Sequence, residues 1–186
     1  MNKYNCLDIQ KFSFEDYILI PIRQEDIQDI RKWRNAQIDV LRQKKPISKK
    51  EQEEYYENII KKKFLKNKPE QIIFSFLLKN KCIGYGGFVH IDWEQKSAEL
   101  SFLNETNRSK NLDLYFKDFS KFLRIISKIA FDHIKFKKLI TETYNIRPKT
   151  IEILKNFGFK KEKTLKNHVK IDGKLIDSLI FNLENK

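Results

Sequence analysis

Two side chains near the middle of the chain have the chemistry to move protons. Glu99 lies inside the strand-like run Ser97 to Leu103. A lone carboxylate in such a strand costs folding free energy unless it is paired with a cation or serves a function. His90 lies on the preceding strand-like run, and its imidazole titrates near neutral pH. We therefore take Glu99 as a candidate general base and His90 as a second proton carrier. The alternatives are a salt bridge from Glu99 to a neighbouring-strand lysine and, for His90, a polar residue at a sheet end.

Three of the five glycines, Gly84, Gly86 and Gly87, fall within four residues of one strand-like run. Glycine weakens a strand, because it loses backbone entropy and packs nothing against its neighbours. Either a ligand or a bent neighbouring strand approaches the backbone closely here, or the strand needs a bulge to curve the sheet. The residues alone leave these options open.

Length and composition predict one folded domain. The chain has 186 residues, of which 40% are hydrophobic, including 15 Phe; this excludes a disordered chain. No apolar run approaches a membrane span, and the N-terminus lacks the apolar core of a signal peptide. Cys6 and Cys82 show no metal-binding or redox spacing. We therefore expect a cytoplasmic protein without a membrane or metal partner.

The formal net charge of +13 favours an anionic partner. Lysine is abundant alongside Asn and Ile, so compositional drift on a solvated surface explains the charge equally well. Nucleic-acid binding would require basic residues gathered on one face with aromatic residues between them. The lysines are instead spread through nearly every segment, which makes a nucleic-acid partner the weakest alternative.

Hydrophobic periodicity predicts the elements that must position these residues. Residues 1–16 show no clear period and are predicted to form an arm. Strands are predicted over 17–23, 72–80, 82–91, 97–103 and 137–144, and on both sides of Asp172-Gly173. Helices are predicted over 24–35, from a Ser48 cap to about Lys63, over 112–134, and from Pro148 to Asn156. The strand–helix–strand unit makes 97–103 and 137–144 parallel neighbours.

This element order, with three local patterns, resembles the GNAT superfamily of acyl-CoA N-acyltransferases, in its ribosomal-protein and nucleotide-amino-sugar branch. The patterns are KWRN (Lys32 to Asn35), IGYGGFVHIDWEQKSAELSFL (Ile83 to Leu103) and RPKTIEILKNFGF (Arg147 to Phe159). The likeness spans about residues 17–183. It implies an α/β (α+β) fold: a single domain over 1–186 whose mixed, mostly antiparallel sheet has a central splayed parallel strand pair and helices on both faces. It also implies acetyl-CoA as the cosubstrate.

The resemblance implies where the cosubstrate binds. The pantetheine arm would lie between the splayed strands and pair with backbone groups as an added strand does. The pyrophosphate would meet the segment NRSKNL at the start of the long helix, where Asn111 and Asp113 replace the family's usual glycines. Asn tolerates a left-handed backbone better than most residues. The implied cofactor-binding residues are Ser101, Phe102, Leu103, Arg108, Ser109, Lys110, Asn111, Leu112 and Arg147.

The resemblance also implies an acceptor and a proton donor. Glu99 would act as general base in a direct attack by the amine. Tyr144 or Tyr85 would protonate the thiolate, because Leu154 occupies the place of the family's tyrosine. Acceptor contacts are expected from Trp33, Arg34, Asn35, Tyr85 and His168.

We expect the acceptor to be a small primary amine, phosphorylated or nucleotide-linked, with a nucleotide-linked amino sugar favoured. Acetylation of a protein N-terminus, as in the ribosomal-protein branch, is one alternative. A non-catalytic GNAT-like binding module is another. The sequence does not fix the assembly state, and a homodimer is one option.

Overall fold

The structure, a computed structural model, describes residues 2–185 and arranges their strands in a single eight-stranded sheet. The strands are β1 (Phe12–Phe14), β2 (Tyr17–Pro21), β3 (Ile72–Leu78), β4 (Lys81–Asp92), β5 (Ser97–Asn104), β6 (Lys138–Tyr144), β7 (Lys160–Ile171) and β8 (Lys174–Glu184). Their order across the sheet is β1-β2-β3-β4-β5-β6-β8-β7. Every neighbouring pair is antiparallel except β5 and β6.

The helices follow the predicted order, except that an unpredicted short helix precedes the long one. They are α1 (Ile27–Ala36), α2 (Lys49–Tyr55), α3 (Lys61–Phe64), α4 (Thr106–Lys110), α5 (Leu112–Lys128) and α6 (Pro148–Phe157). A π-helical stretch, Tyr56–Ile60, joins α2 to α3, so that both form the one helix predicted from Ser48. The Ser48–Glu51 capping box that begins it is present. None of these helices, within residues 2–185, has the length and apolarity required to cross a bilayer.

The central parallel pair is joined over a short stretch only. Ser97, Ala98 and Glu99 pair with Lys138, Leu139 and Ile140. Beyond Glu99 both strands continue, to Asn104 and to Tyr144, without pairing with each other. The predicted splayed pair is therefore present, and its opening begins immediately after Glu99.

Side-chain alternation on β5 separates the two faces of the sheet. The Phe102 ring stacks on Phe119 of α5 at a centroid distance of 4.8 Å and lies 4.5 Å from that of Phe122. Glu99 and Ser101 point to the opposite face. Ser101 there lines a cavity bounded by α1 and α2. The helices thus cover both faces, and the sheet opening connects the two sides.

The N-terminal segment is part of the domain rather than an arm. Tyr4 is buried, with 1% of its surface exposed, and its hydroxyl accepts a hydrogen bond from the Ile73 N–H at 2.8 Å. β1 extends the sheet by pairing with β2. The prediction for residues 2–16 was wrong because their contacts lie far along the chain, where local periodicity carries no information. Met1 lies outside the described residues.

The glycine cluster is explained by close packing of β4 against its neighbours. A Cβ placed on Gly86 would lie 2.3 Å from the Ser101 carbonyl oxygen, and one on Gly87 would lie 2.1 Å from that of Ile72. Both strands that flank β4 therefore approach its backbone too closely for a side chain. The ladder between β4 and β5 also shifts register near His90, whose φ is 49°. The cluster thus serves the sheet itself.

Candidate active site

A cleft of about 350 Å³ occupies the opening between β5 and β6. β5 and β6 form its walls, α5 and the start of α6 close one side, and the segment 40–43 closes the other. The residues that line it on the strands are Val89, Glu99, Leu100, Ser101, Phe102, Thr141, Glu142, Thr143 and Tyr144. The cleft therefore includes the candidate base.

Phe102 presents its backbone to the cleft. The carbonyl oxygens of Ser101 and Leu103 lie against Gly86 and Gly84 of β4. Since successive residues of a strand direct their N–H and C=O groups to opposite sides, those of Leu100 and Phe102 point toward β6. The Thr141 hydroxyl accordingly donates to the Leu100 carbonyl at 3.3 Å. Among the three expected backbone contacts, the geometry leaves Phe102 as the one that faces the opening.

Thr143 adds a buried polar atom to the same cleft. Its residue is 4% exposed, and among residues 2–185 its Oγ1 has no hydrogen-bond partner. A buried hydroxyl without a partner is costly, and because Thr143 lines the cleft, a ligand group there can pair with it. Together with the Phe102 backbone, Thr143 fits the amide-bearing arm of a CoA thioester.

Glu99 and Glu142 face each other across the opening, and Arg42 connects them. Nη2 of Arg42 lies 2.9 Å from Oε1 of Glu99, and the same nitrogen contacts Oε2 of Glu142. Burial disfavours the charge on Glu142, but the nearby Ser178 hydroxyl and Arg42 outweigh burial and hold the pKa of Glu142 below its usual range. Both carboxylates are also partly withdrawn from solvent, with side chains 23% and 11% exposed.

Sequence reasoning missed Arg42 and Glu142. Glu142 is a carboxylate within a strand of core character, so the reasoning that selected Glu99 applies to it as well. Arg42 follows a 3-10 turn in a segment without hydrophobic periodicity, and no local pattern marks it.

The histidines flank this carboxylate pair from outside. Nε2 of His90 lies 4.0 Å from Oε2 of Glu99. Nε2 of His168, on β7, lies 3.7 Å from Oε1 of Glu142. His168 also lines a separate cavity of about 560 Å³ between the segment 38–44 and the end of β7. The expected neighbourhood of His90 and Glu99 is present, whereas His168 belongs to the β6 side of the opening.

The two candidate tyrosines lie in different places. Tyr144, at the end of β6, lines the cleft; burial, reinforced by the charge of Glu142, raises the pKa of its hydroxyl, so that it remains protonated at neutral pH. The Tyr85 hydroxyl accepts a hydrogen bond from Arg34 at 2.5 Å and lines the cavity next to α1 and α2. Of the two tyrosines, Tyr144 is therefore the one that lines the cleft between β5 and β6.

The cavity beside α1 and α2 has a volume of about 420 Å³. It meets the cleft at Arg34, Val89 and Ser101, which line both. Asn35 instead holds Ile47, which lines this cavity: its side chain forms hydrogen bonds with the N–H and the C=O of Ile47, each at 2.8 Å. Trp33 packs against the core and is absent from the lining of either space. Of the KWRN residues, Arg34 alone reaches the candidate acceptor site.

The expected pyrophosphate segment is built differently from the family pattern. Residues 106–110 form the short helix α4, and Asn111 caps α5: its Oδ1 accepts from the Leu114 N–H at 3.0 Å. Asn111 has φ −86°, so it does not adopt the left-handed conformation. The Ser109 hydroxyl donates to the Thr106 carbonyl at 2.8 Å. Lys110 and Leu112 remain exposed.

Arg108 and Arg147 are both held by protein groups. Arg108 donates two hydrogen bonds, of 2.6 and 2.8 Å, to the fully buried carboxylate of Asp118. Arg147 donates to the Tyr115 hydroxyl at 3.1 Å and lines the cleft where α5 meets α6. Arg147 is thus positioned to contact a ligand in the cleft, and Arg108 is committed to the fold.

Comparison with known proteins agrees with this geometry. The sequence matches the family model described as "Acetyltransferase (GNAT) domain" over residues 19–180. No curated protein matches it in sequence.

Solved structures share the fold. One is the spermidine N-acetyltransferase from Vibrio cholerae in complex with CoA and spermine, with 17% identity, a TM-score of 0.75 and coverage of 92% of this chain and 96% of that one. Another, a variant form of the spermidine/spermine N-acetyltransferase SpeG from the same organism, has 17% identity, a TM-score of 0.76 and coverage of 92% and 95%. A dodecameric form of the V. cholerae enzyme matches with a TM-score of 0.75, 17% identity and coverage of 92% and 95%.

The family match covers most of the chain, including all of β3 to β6, and the splayed strands with their carboxylate lie inside it. This chain belongs to the GNAT acetyltransferase family and is an acetyl-CoA-dependent N-acetyltransferase.

Proposed function

We propose that the protein acetylates the primary amine of a small acceptor, with Glu99 as general base. The observation that carries this proposal is the position of the sheet opening, which begins at the residue after Glu99. Acetyl-CoA supplies an acyl thioester whose carbonyl carbon an amine can attack. A base placed at the start of the opening lies where the amine must lose its proton.

The residues of the cleft divide the work. The Phe102 backbone and the Thr143 hydroxyl hold and orient the pantetheine arm. Glu99 takes the proton from the acceptor ammonium, and the freed nitrogen forms the new bond to the acetyl carbon as the carbon–sulfur bond breaks. Tyr144 donates its proton to the departing thiolate, since its raised pKa keeps it protonated. The acetylated nitrogen then loses its second proton, which restores the tyrosine hydroxyl and leaves a neutral amide.

The cavity beside α1 and α2 indicates the class of acceptor. Arg34 and Lys45 contribute two cations to its lining. Its carboxylate, Glu51, is already engaged by the Ser48 N–H at 2.7 Å and by Lys45 at 3.5 Å. Tyrosines and aliphatic side chains form much of the rest. This lining suits an acceptor with a neutral or anionic body, and among these we favour a nucleotide-linked amino sugar.

A polyamine is the second candidate. The structural neighbours include a spermidine N-acetyltransferase, and the Glu99–Glu142 pair offers one place for an ammonium group. A polyamine carries further cations, which Arg34 would repel, while Lys45 and Glu51 of the same lining largely offset each other.

The test measures thiol release from acetyl-CoA with a nucleoside-diphosphate amino sugar, spermidine and a peptide with a free N-terminus. We expect the highest kcat/KM with the amino sugar and a raised KM for it, but not for spermidine, in Lys45→Gln. A preference for spermidine or the peptide would overturn the proposed acceptor. If acetyl-CoA fails to bind in a calorimetric titration, the cleft between β5 and β6 does not hold the cosubstrate and the whole proposal fails.

A further inference from the structure

A single nitrogen lies between two carboxylates at the start of the sheet opening. Nη2 of Arg42 contacts Glu99 of β5 and Glu142 of β6 at once. The carboxylates belong to the rigid strands, and their side chains are 23% and 11% exposed. The Arg42 side chain is 53% exposed and comes from a segment outside the helices and strands. The cation is therefore the part of this arrangement that can leave.

Two carboxylates within reach of one nitrogen repel each other strongly unless a cation lies between them. Arg42 supplies that cation, and its guanidinium cannot lose a proton at physiological pH. A primary ammonium group can replace it at the same position, and it can give up a proton. His90 and His168 lie farther off, at 4.0 and 3.7 Å from the carboxylates of Glu99 and Glu142, whereas the guanidinium contacts both carboxylates and donates from Nη1 to Oε2 of Glu99 at 3.3 Å.

We propose that Glu99 and Glu142 form the ammonium subsite for the acceptor, and that Arg42 occupies it as an internal substitute until the acceptor arrives. This inference rests on the proposed function and names the chemistry of that site: a primary alkylammonium, with N–H groups for both carboxylates. Glu142 holds the amine, and Glu99 receives its proton. Displaced Arg42 moves toward solvent with its segment. Acceptor binding thus removes a group that keeps Glu99 neutralised and unreactive.

The test uses n-propylammonium as a probe and omits acetyl-CoA, so that its outcome is independent of acetyl transfer. NMR titrations at fixed ionic strength compare the wild type with Arg42→Gln, and Lys44→Gln is the matched control because it removes a neighbouring cation without touching either carboxylate. We expect Arg42→Gln to bind the probe about tenfold more tightly, since an internal competitor raises the apparent Kd by the fraction of time it occupies the site. Lys44→Gln should bind it as the wild type does.

Adding Glu142→Gln to Arg42→Gln should abolish the gain, and tetramethylammonium, which has no N–H, should not bind. Equal affinity of wild type and Arg42→Gln for the probe would overturn the inference, as would a gain that survives Glu142→Gln. If Arg42→Gln does not fold, the wild type still decides: the Nε–Hε resonance of Arg42 must shift as the probe saturates. A resonance that stays in place would overturn the inference. If the probe displaces Arg42 but no acceptor is acetylated in any assay, the ammonium subsite stands and the proposed function is refuted.

Discussion

Arg108 and Asp118 form a two-bonded ion pair whose carboxylate is completely buried, 2.6 and 2.8 Å from the guanidinium nitrogens. Tyr17 and Asn104 donate to the same carboxylate. Removal of one partner from such a pair leaves a buried charge without compensation. We therefore predict that Arg108→Ala lowers the free energy of unfolding by about 3 kcal/mol or more, measured by urea denaturation.

The matched control is Lys110→Ala, which removes an exposed cation from the same short helix. It should leave stability nearly unchanged. If Arg108→Ala unfolds normally but loses affinity for CoA, Arg108 serves the pyrophosphate after all.

Glu99→Gln should lower kcat by about 10²–10⁴-fold, because the amide cannot accept the acceptor's proton. Its calorimetric Kd for acetyl-CoA should stay near that of the wild type, since Glu99 points away from the face on which α5 packs. Glu162→Gln, on the exposed part of β7, is the control and should retain full kcat. Full turnover in Glu99→Gln would remove this residue from the mechanism.

Thr143→Val replaces the unpartnered hydroxyl with a methyl group of similar size. Loss of one hydrogen bond, worth about 1 kcal/mol, should raise the Kd for acetyl-CoA about fivefold. The ligand-free protein should be at least as stable as the wild type, because a buried unpaired hydroxyl is removed. Thr150→Val is the contrast: its hydroxyl pairs with that of Tyr115 at 3.0 Å, so stability should fall. An unchanged Kd in Thr143→Val would place the hydroxyl outside the ligand site.

Alanine substitutions in the glycine cluster should destabilise the protein in a graded order. The added Cβ would lie 2.8 Å from a backbone oxygen at Gly84 and 2.3 Å at Gly86, where Phe122 is also crowded. Overpacking of this kind costs about 1–3 kcal/mol, and we expect Gly86→Ala to reach the upper end and Gly84→Ala the lower end. Thermal unfolding of the two variants measures the order. Equal and small losses would show that β4 and β5 separate easily.

The lowered pKa of Glu142 predicts a pH dependence of stability. A carboxyl group whose folded-state pKa lies below its ordinary value of 4.5 stabilises the fold above that value, and the contribution disappears as the pH falls through the folded-state pKa. Wild type and Glu142→Gln should therefore differ most at neutral pH, and their free energies of unfolding should converge below pH 4.5. A difference that grows in acid would mean that Glu142 is protonated in the fold.

Most helices and strands were predictable because they carry a local signal; β1 and α4, which are short, were not. Apolar residues at spacings of three and four mark α5, and Ser48 with Glu51 marks the start of α2. The family resemblance located the splayed strands correctly, and the opening beside Glu99 confirms it.

The errors came from contacts that local patterns do not encode. Arg42 reaches carboxylates 57 and 100 residues away, and Tyr4 bonds a strand 69 residues away. A left-handed Asn111 is compatible with the family pattern, whereas in the structure its side chain caps α5, a local hydrogen bond that short polar residues commonly make. The acceptor class is least predictable, because cavity linings combine residues from separate elements.

Only three residue pairs, between Ser97–Glu99 and 138–140, join β5 to β6, so this is a weak connection within the sheet. This ladder, the α5 connection, the Thr141–Leu100 hydrogen bond and the Arg42 bridge hold β1 to β5 and β6 to β8 together. A ligand in the opening therefore adds contacts between the two halves of the sheet. Bound acetyl-CoA should consequently slow the global unfolding of the protein. Its resistance to proteolysis should therefore rise with the concentration of acetyl-CoA around it.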